Sequence, residues 1–281
     1  MRDDKAAELL KQLSDGVAKL ETSEDWRKWL DTQAKFHNYS FGNSLLIAWQ
    51  RPDATQVAGF HKWLELGRCV RKGEHGIRIL APMQVRVKGD DPDDERKYRL
   101  VGFRTAVVFD VAQTDGAELP VPPCHRLTGQ APEVIINSLV RFAESRGFTV
   151  TLGAELRGQR NGETDLVERA VRISGGLAPA QVLKTLAHEV GHVLLHCEPS
   201  QAAEADRPVA EVEAESVAYL LCQEWGVESA DYSFGYIATW AGRGGQDTVS
   251  AIQASGQRVG RTYQKVLDWL EKSAQPLDTA A

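Results

Sequence analysis

The chain has 281 residues, 42% of them hydrophobic, and a formal net charge of −6. That length suits two domains that each bury a core. A sequence isoelectric point near 5.7 excludes bulk binding to polyanions, so any contact with DNA has to be a local, salt-sensitive patch.

Taken in chain order, apolar spacing predicts amphipathic helices over 4–20 and 24–37, the second with Trp26, Trp29, Leu30 and Phe36 in a core. A third helix is expected over 40–50 and a short one over 58–66. Strands follow at 77–88, 97–103 and 104–112, with the acidic run 89–96 as a solvated hairpin turn. That run lacks the spacing of a calcium loop. Between Lys62 and Lys88 stand seven basic residues and two acidic ones, with Trp49, Phe60, His61 and Trp63 nearby. Cations for phosphates beside aromatic platforms for bases are what single-strand binding uses. Core aromatics and a solvated charged face would give the same pattern.

A proline-rich stretch over 117–132 reads as a linker. Charge divides across it. Residues 1–130 hold 20 Lys and Arg against 19 Asp and Glu; residues 131–281 hold 13 against 20. The second domain, 133–281, is expected to open with a helix at 132–146 and a strand at 148–152. A hairpin ending in Val171–Ile173 comes next. Helices follow at 179–196, 208–225, 233–242 and 246–273. The expected fold class is α+β: an N-terminal helical and β-hairpin domain over 1–116 and a separate C-terminal domain.

The helix at 179–196 carries His188-Glu189-Val190-Gly191-His192, an H-E-x-x-H pattern. Positions i and i+4 stack on one helix face, so both imidazoles can hold one ion with Glu189 beside it. This is the arrangement of a zinc hydrolase: two nitrogen ligands and a carboxylate able to take a proton from the attacking water. A third ligand has to come from elsewhere. In the next helix Glu211 and Glu215 share a face. Glu211 is assigned as ligand and Glu215 as the acidic partner of a ligating histidine, with Glu215 the alternative ligand. Glu213 points away from both and is expected to be a solvated charge. His196 lies about 12 Å along the helix from His188 and cannot reach the same ion. Tyr236 could serve as a second electrophile, though a core aromatic is its default role. A peptide substrate needs an extended edge near the metal, for which 167–173 is the candidate.

These residues carry a resemblance. Thr185–His192, then Glu211–Glu215 running into Ala218–Cys222, resembles the ImmA/IrrE family of zinc metallopeptidases and the zincin domain of ArdC-type antirestriction proteins. In that family the first Glu of the second helix is the third ligand, which implies Glu211. An acid at position 215 is similar to the ArdC-like branch. Asn38–Gln50, Pro52–Thr55, Gly59–Trp63, Gly67–Ile77, Ile79–Pro82 and Val108–Gly116 look like the N-terminal single-stranded-DNA-binding domain of ArdC.

The resemblance implies a Zn²⁺-dependent, zincin-like C-terminal metallopeptidase with an N-terminal domain for single-stranded DNA. It implies either cleavage of a DNA-associated regulator or a part in antirestriction. The alternative is an antirestriction DNA-binding protein whose metal site is structural or silent. Candidate DNA contacts are Tyr39, Asn43, Lys62, Trp63, Arg68, Arg71, Lys72 and Arg78. Four cysteines without C-x-x-C spacing (Cys69, Cys124, Cys197, Cys222) suggest buried thiols in a reducing compartment. The charged start does not read as a secretory leader. No apolar run reaches the ~20 residues of a membrane span. A cytoplasmic protein without a membrane partner is expected.

Overall fold

A capping box starts the element that decides how the chain divides. The Thr22 side chain accepts from the Asp25 amide, and the Asp25 carboxylate accepts from the Thr22 amide, so the donors at the start of helix α2 (Ser23–Lys35) are satisfied. One face of α2 then buries Trp26, Trp29, Leu30 and Gln33. The Trp26 indole donates to Ser216 Oγ at 2.9 Å, 190 positions along the chain. In this computed structural model, which describes residues 4–20, 22–86, 98–119, 132–158, 160–196, 207–227 and 246–274, two compact units result. Residues 1–19 and 41–119 form the first; residues 20–40 and 120–281 form the second. By its contacts the chain thus divides otherwise than at the expected 1–116. Its second helix belongs with the second unit, because its tryptophan stripe finds its partner surface there. Most of the expected linker (120–131), the acidic turn, the 233–242 helix with Tyr236, and Cys124 and Cys197 lie outside the described residues.

The first unit contains α1 (Asp4–Val17), α3 (Phe41–Gln50), β1 (Val57–Gly59), α4 (Phe60–Glu65), β2 (Arg68–Val70), β3 (Ile77–Arg86), β4 (Tyr98–Asp110), a 3₁₀ turn (Val111–Gln113) and β5 (Thr114–Gly116). Strands β1, β4 and β3 form one antiparallel sheet in that order, and β2 pairs with β5. The two strands expected at 97–103 and 104–112 are one strand, β4. Between Met83↔Gly102 and Gln84↔Leu100 the pairing slips by one residue. This bulge absorbs the break that Gly102 suggests in the sequence. Leu45, Leu46, Ile47, Trp63, Ile77, Ile79, Leu80 and Val108 are buried in this unit.

The second unit contains α2, α5 (Pro132–Ser145), β6 (Thr149–Ala154), β7 (Gly162–Asp165), β8 (Ala170–Ser174), α6 (Pro179–His196), α7 (Arg207–Glu224) and α8 (Gln246–Ala274). The sheet order is β6-β8-β7, with β6 parallel and β7 antiparallel to β8. Strand β8 is thus the central one. The expectation that 167–173 offers an open edge is corrected: 170–173 pair on both sides, and among the described strands β7 is an edge. Leu183, Leu186, Ala187, Val190 and Val193 bury one face of α6. Gly226, at φ +67°, ends α7. Its amide bonds to Gln223 O and that of Val227 to Cys222 O, the paired bonds of a Schellman stop.

Candidate metal centre

Two helices meet at the site because one residue of α6 has no side chain. A Cβ on Gly191 would stand 2.9 Å from Ala214 Cα and 3.1 Å from its carbonyl oxygen, so glycine lets α7 approach at that height. Glu211 sits three residues before Ala214 and is thereby brought opposite His188 and His192. The Nε2 atoms of His188 and His192 are 3.1 Å apart. Glu211 Oε2 lies 3.4 Å from the first and 3.6 Å from the second. Four-coordinate zinc with bonds of about 2.0–2.1 Å separates neighbouring donors by about 3.3 Å. These three residues form a group able to hold a metal ion among the described residues. The donor set, two imidazole nitrogens and a carboxylate oxygen, suits a divalent cation.

Glu215, one turn beyond Glu211, faces the other nitrogen of His188: its Oε2 is 2.9 Å from Nδ1. An Nδ1–H donated to that carboxylate leaves the Nε2 lone pair aimed at the shared point. Burial alone would lower the His188 pKa. It is outweighed by hydrogen bonds to Glu211 and Glu215 and by the nearby charges of Glu189 and Glu215, which together push it up to about 10. The Glu211 carboxyl is held well below the usual range, first by hydrogen bonding to His188 and His192, against some desolvation. Without a metal the site therefore keeps a proton on His188. A cation has to displace it.

Glu189 is 5% exposed. Its Oε2 accepts from Thr164 Oγ1 at 2.6 Å. Glu213 is the correction in this helix: it is buried rather than solvated. It accepts from Ser255 Oγ at 2.5 Å and from Arg258 Nε at 3.1 and 3.2 Å, and it also pairs with Arg258 Nη2. The far side of α7 is covered by α8, so the acid that points away from the site meets a helix and not water. The side chain of His196 lies outside the described residues.

The expected DNA contacts come out unevenly. Trp63 is 2% exposed and donates to Phe109 O, so it is core. The Asn43 amide bonds both ways to the Leu80 backbone at 2.9 Å, and Gln50 does the same to Arg78 at 2.7 and 2.9 Å. Both close the outer edge of β3. Arg68 holds Thr114 and Gly116. Arg71 pairs with Glu74 and Asp115. Lys62 pairs with Glu65 but stays largely exposed. Tyr39 belongs to the second unit, where it stacks edge-on against Phe36. Lys72 and Arg78 are exposed. Arg78 and Arg51, with His75 and Gln50, line a cleft of about 530 Å³. Trp49 and Phe60, which are not among the expected contacts, are 43% and 46% exposed. No local sequence signal separates them from Trp63. Cys222 is buried as expected, whereas Cys69 is exposed.

Comparison with known proteins bears most directly on the N-terminal residues, which hold most of the first unit and α2 of the second. Residues 1–109 match the family model of the N-terminal domain of anti-restriction factor ArdC. An uncharacterized protein of Bacillus anthracis is 23% identical over a 314-residue alignment that covers 95% of this chain and 51% of that protein. The chain thus spans about half the length of that curated relative. Among solved structures, the metal-free antirestriction ArdC protein from the R388 plasmid is 21% identical, with a TM-score of 0.49 over 81% of this chain and 84% of that one. The Mn(II)-bound form is 18% identical, with a TM-score of 0.44 over 85% and 97%. Among the described residues no helix is long and apolar enough to cross a membrane.

Proposed function

We propose that the second unit is a zinc-dependent peptidase of the zincin type and that the first unit binds single-stranded DNA. The convergence of His188 Nε2, His192 Nε2 and Glu211 Oε2 within 3.1–3.6 Å of one another supports the first part. The family-model match over residues 1–109 supports the second. A bound zinc ion would polarise the scissile carbonyl and the attacking water. His188, His192 and Glu211 would hold it, and Glu215 would keep His188 in the tautomer that donates from Nδ1. Glu189 takes the proton of the attacking water and passes it to the amide nitrogen as the C–N bond breaks. Strand β7, an edge strand carrying Thr164 against Glu189, offers the substrate backbone a partner for strand addition.

The ArdC likeness of the first unit favours a second reading, in which the chain acts in antirestriction through DNA binding and the metal is structural. Glu189→Gln separates the two. On labelled casein it is expected to lower kcat/KM by about 10²- to 10⁴-fold while the bound zinc stays. An unchanged antirestriction phenotype in that variant would favour the second reading.

A further inference from the structure

Glu189 carries three rotatable bonds, and on a helix surface its carboxylate would sample several positions. Here two residues of β7 fix it from one side. Side chains alternate along a strand, so Gly162 and Thr164 share the face turned to α6, while Glu163 takes the opposite face and pairs with Arg172 at 3.1 Å. The Thr164 hydroxyl donates to Glu189 Oε2 at 2.6 Å and lies 3.5 Å from the Glu189 carbonyl oxygen. Threonine is β-branched and stiff at χ1, so the donor has a fixed direction. At Gly162 the carboxylate's other oxygen lies against bare backbone: a Cβ there would stand 2.7 Å from Glu189 Oε1 and 2.6 Å from Thr185 Cγ2. A missing side chain leaves room for one oxygen, and a hydroxyl two residues on binds the other.

We propose that Thr164 is a positioning residue for Glu189: with Gly162 it forms a strand-borne clamp that sets the direction in which the carboxylate receives a proton. The proposal rests on the peptidase reading for its catalytic consequence, but its geometry stands apart from it. Because β7 is an edge among the described strands, the clamp also links the seat expected for a peptide backbone to the orientation of the base. Thr164 is not one of the three metal-holding residues and takes no part in breaking the scissile bond, so its loss should act on kcat and not on metal content.

The test uses the full chain loaded with zinc and labelled casein as probe. Thr164→Val, which keeps shape and removes the donor, is expected to lower kcat about tenfold or more, with KM and bound zinc within about twofold of the parent. Thr164→Ser, which restores the hydroxyl, is expected to recover most of the rate. Gly162→Ala, which crowds Oε1 with Thr164 intact, is expected to lower kcat as well. In a crystal structure of Thr164→Val the Glu189 carboxylate should leave its position against β7. An unchanged kcat in Thr164→Val, a loss that Thr164→Ser does not restore, or a carboxylate that stays in place without the hydroxyl would each overturn the proposal. If the parent chain cleaves no casein, the peptidase reading has failed, and the crystal structure still decides the clamp.

Discussion

The densest polar clusters of the two units bind different things. In the first, Asn43, Gln50, Arg68, Asp110 and Gln113 are tied to backbone: Asp110 Oδ2 alone accepts from Thr55 and Gln56 at 2.8 and 3.1 Å, and Gln113 holds His75 O at 2.9 Å. In the second, His188, His192, Glu211 and Glu215 converge on one another while helices already satisfy their own backbones. A short-stranded fold has backbone groups left to satisfy and spends amides and carboxylates on them. A helical frame leaves such groups available for a site. The lesson is that a dense polar motif is no guide to ligand contact until its backbone duties have been subtracted.

The largest expected effect concerns an acid of the second unit that lies outside the metal site. Glu213, 1% exposed, is a structural acid among site acids. Arg258→Ala leaves its charge buried with Ser255 alone and should cost about 3–5 kcal/mol, read as a large drop in Tm with no change in zinc affinity per folded molecule. A neutral outcome would mean that α8 adapts to the loss. Next comes Glu215→Gln, expected to weaken zinc binding about 10- to 100-fold without lowering Tm of the metal-free chain comparably. Zinc affinity should also rise with pH across the neutral range, because His188 binds its proton up to about pH 10 in the metal-free site and gives it up to the cation. Affinity that is flat with pH would contradict that.

Much of this contrast was legible beforehand, and the limits are physical. The 3.6-residue period fixes which side chains share a helix face, so His188 pairs with His192, and Glu211 with Glu215, from spacing alone, whereas the meeting of the two pairs depends on packing. The same period says that Glu213 points elsewhere but not that another helix lies there. Chain contiguity suggests a first domain from 1 to 116, whereas helix α2 (Ser23–Lys35) groups with the second unit, its Trp26 donating to Ser216. A basic, aromatic stretch looked like a DNA surface, yet Trp63, Arg68 and Arg71 serve the fold. Gly191 and Gly162 stood in the sequence without a role. Only packed neighbours show what their missing side chains admit.

In the first unit smaller effects are expected. Asn43→Ala leaves the Leu80 amide and carbonyl on the outer edge of β3 without their side-chain partner, and should cost about 1–3 kcal/mol in Tm-derived stability with zinc content intact. Smaller still, Lys72→Ala and Arg78→Ala should each weaken single-stranded DNA binding evenly across sequences and reduce the salt slope by about one. A slope that does not move in either would place the DNA surface away from these two exposed cations.

Metal stoichiometry decides most directly whether α6 and α7 share a centre. Purified chain titrated with zinc and measured by inductively coupled plasma mass spectrometry should hold one ion per molecule at the His188–His192–Glu211 site, and His188→Ala and Glu211→Ala should hold none while far-UV circular dichroism stays that of the parent. Full occupancy in either variant would contradict a centre shared by α6 and α7.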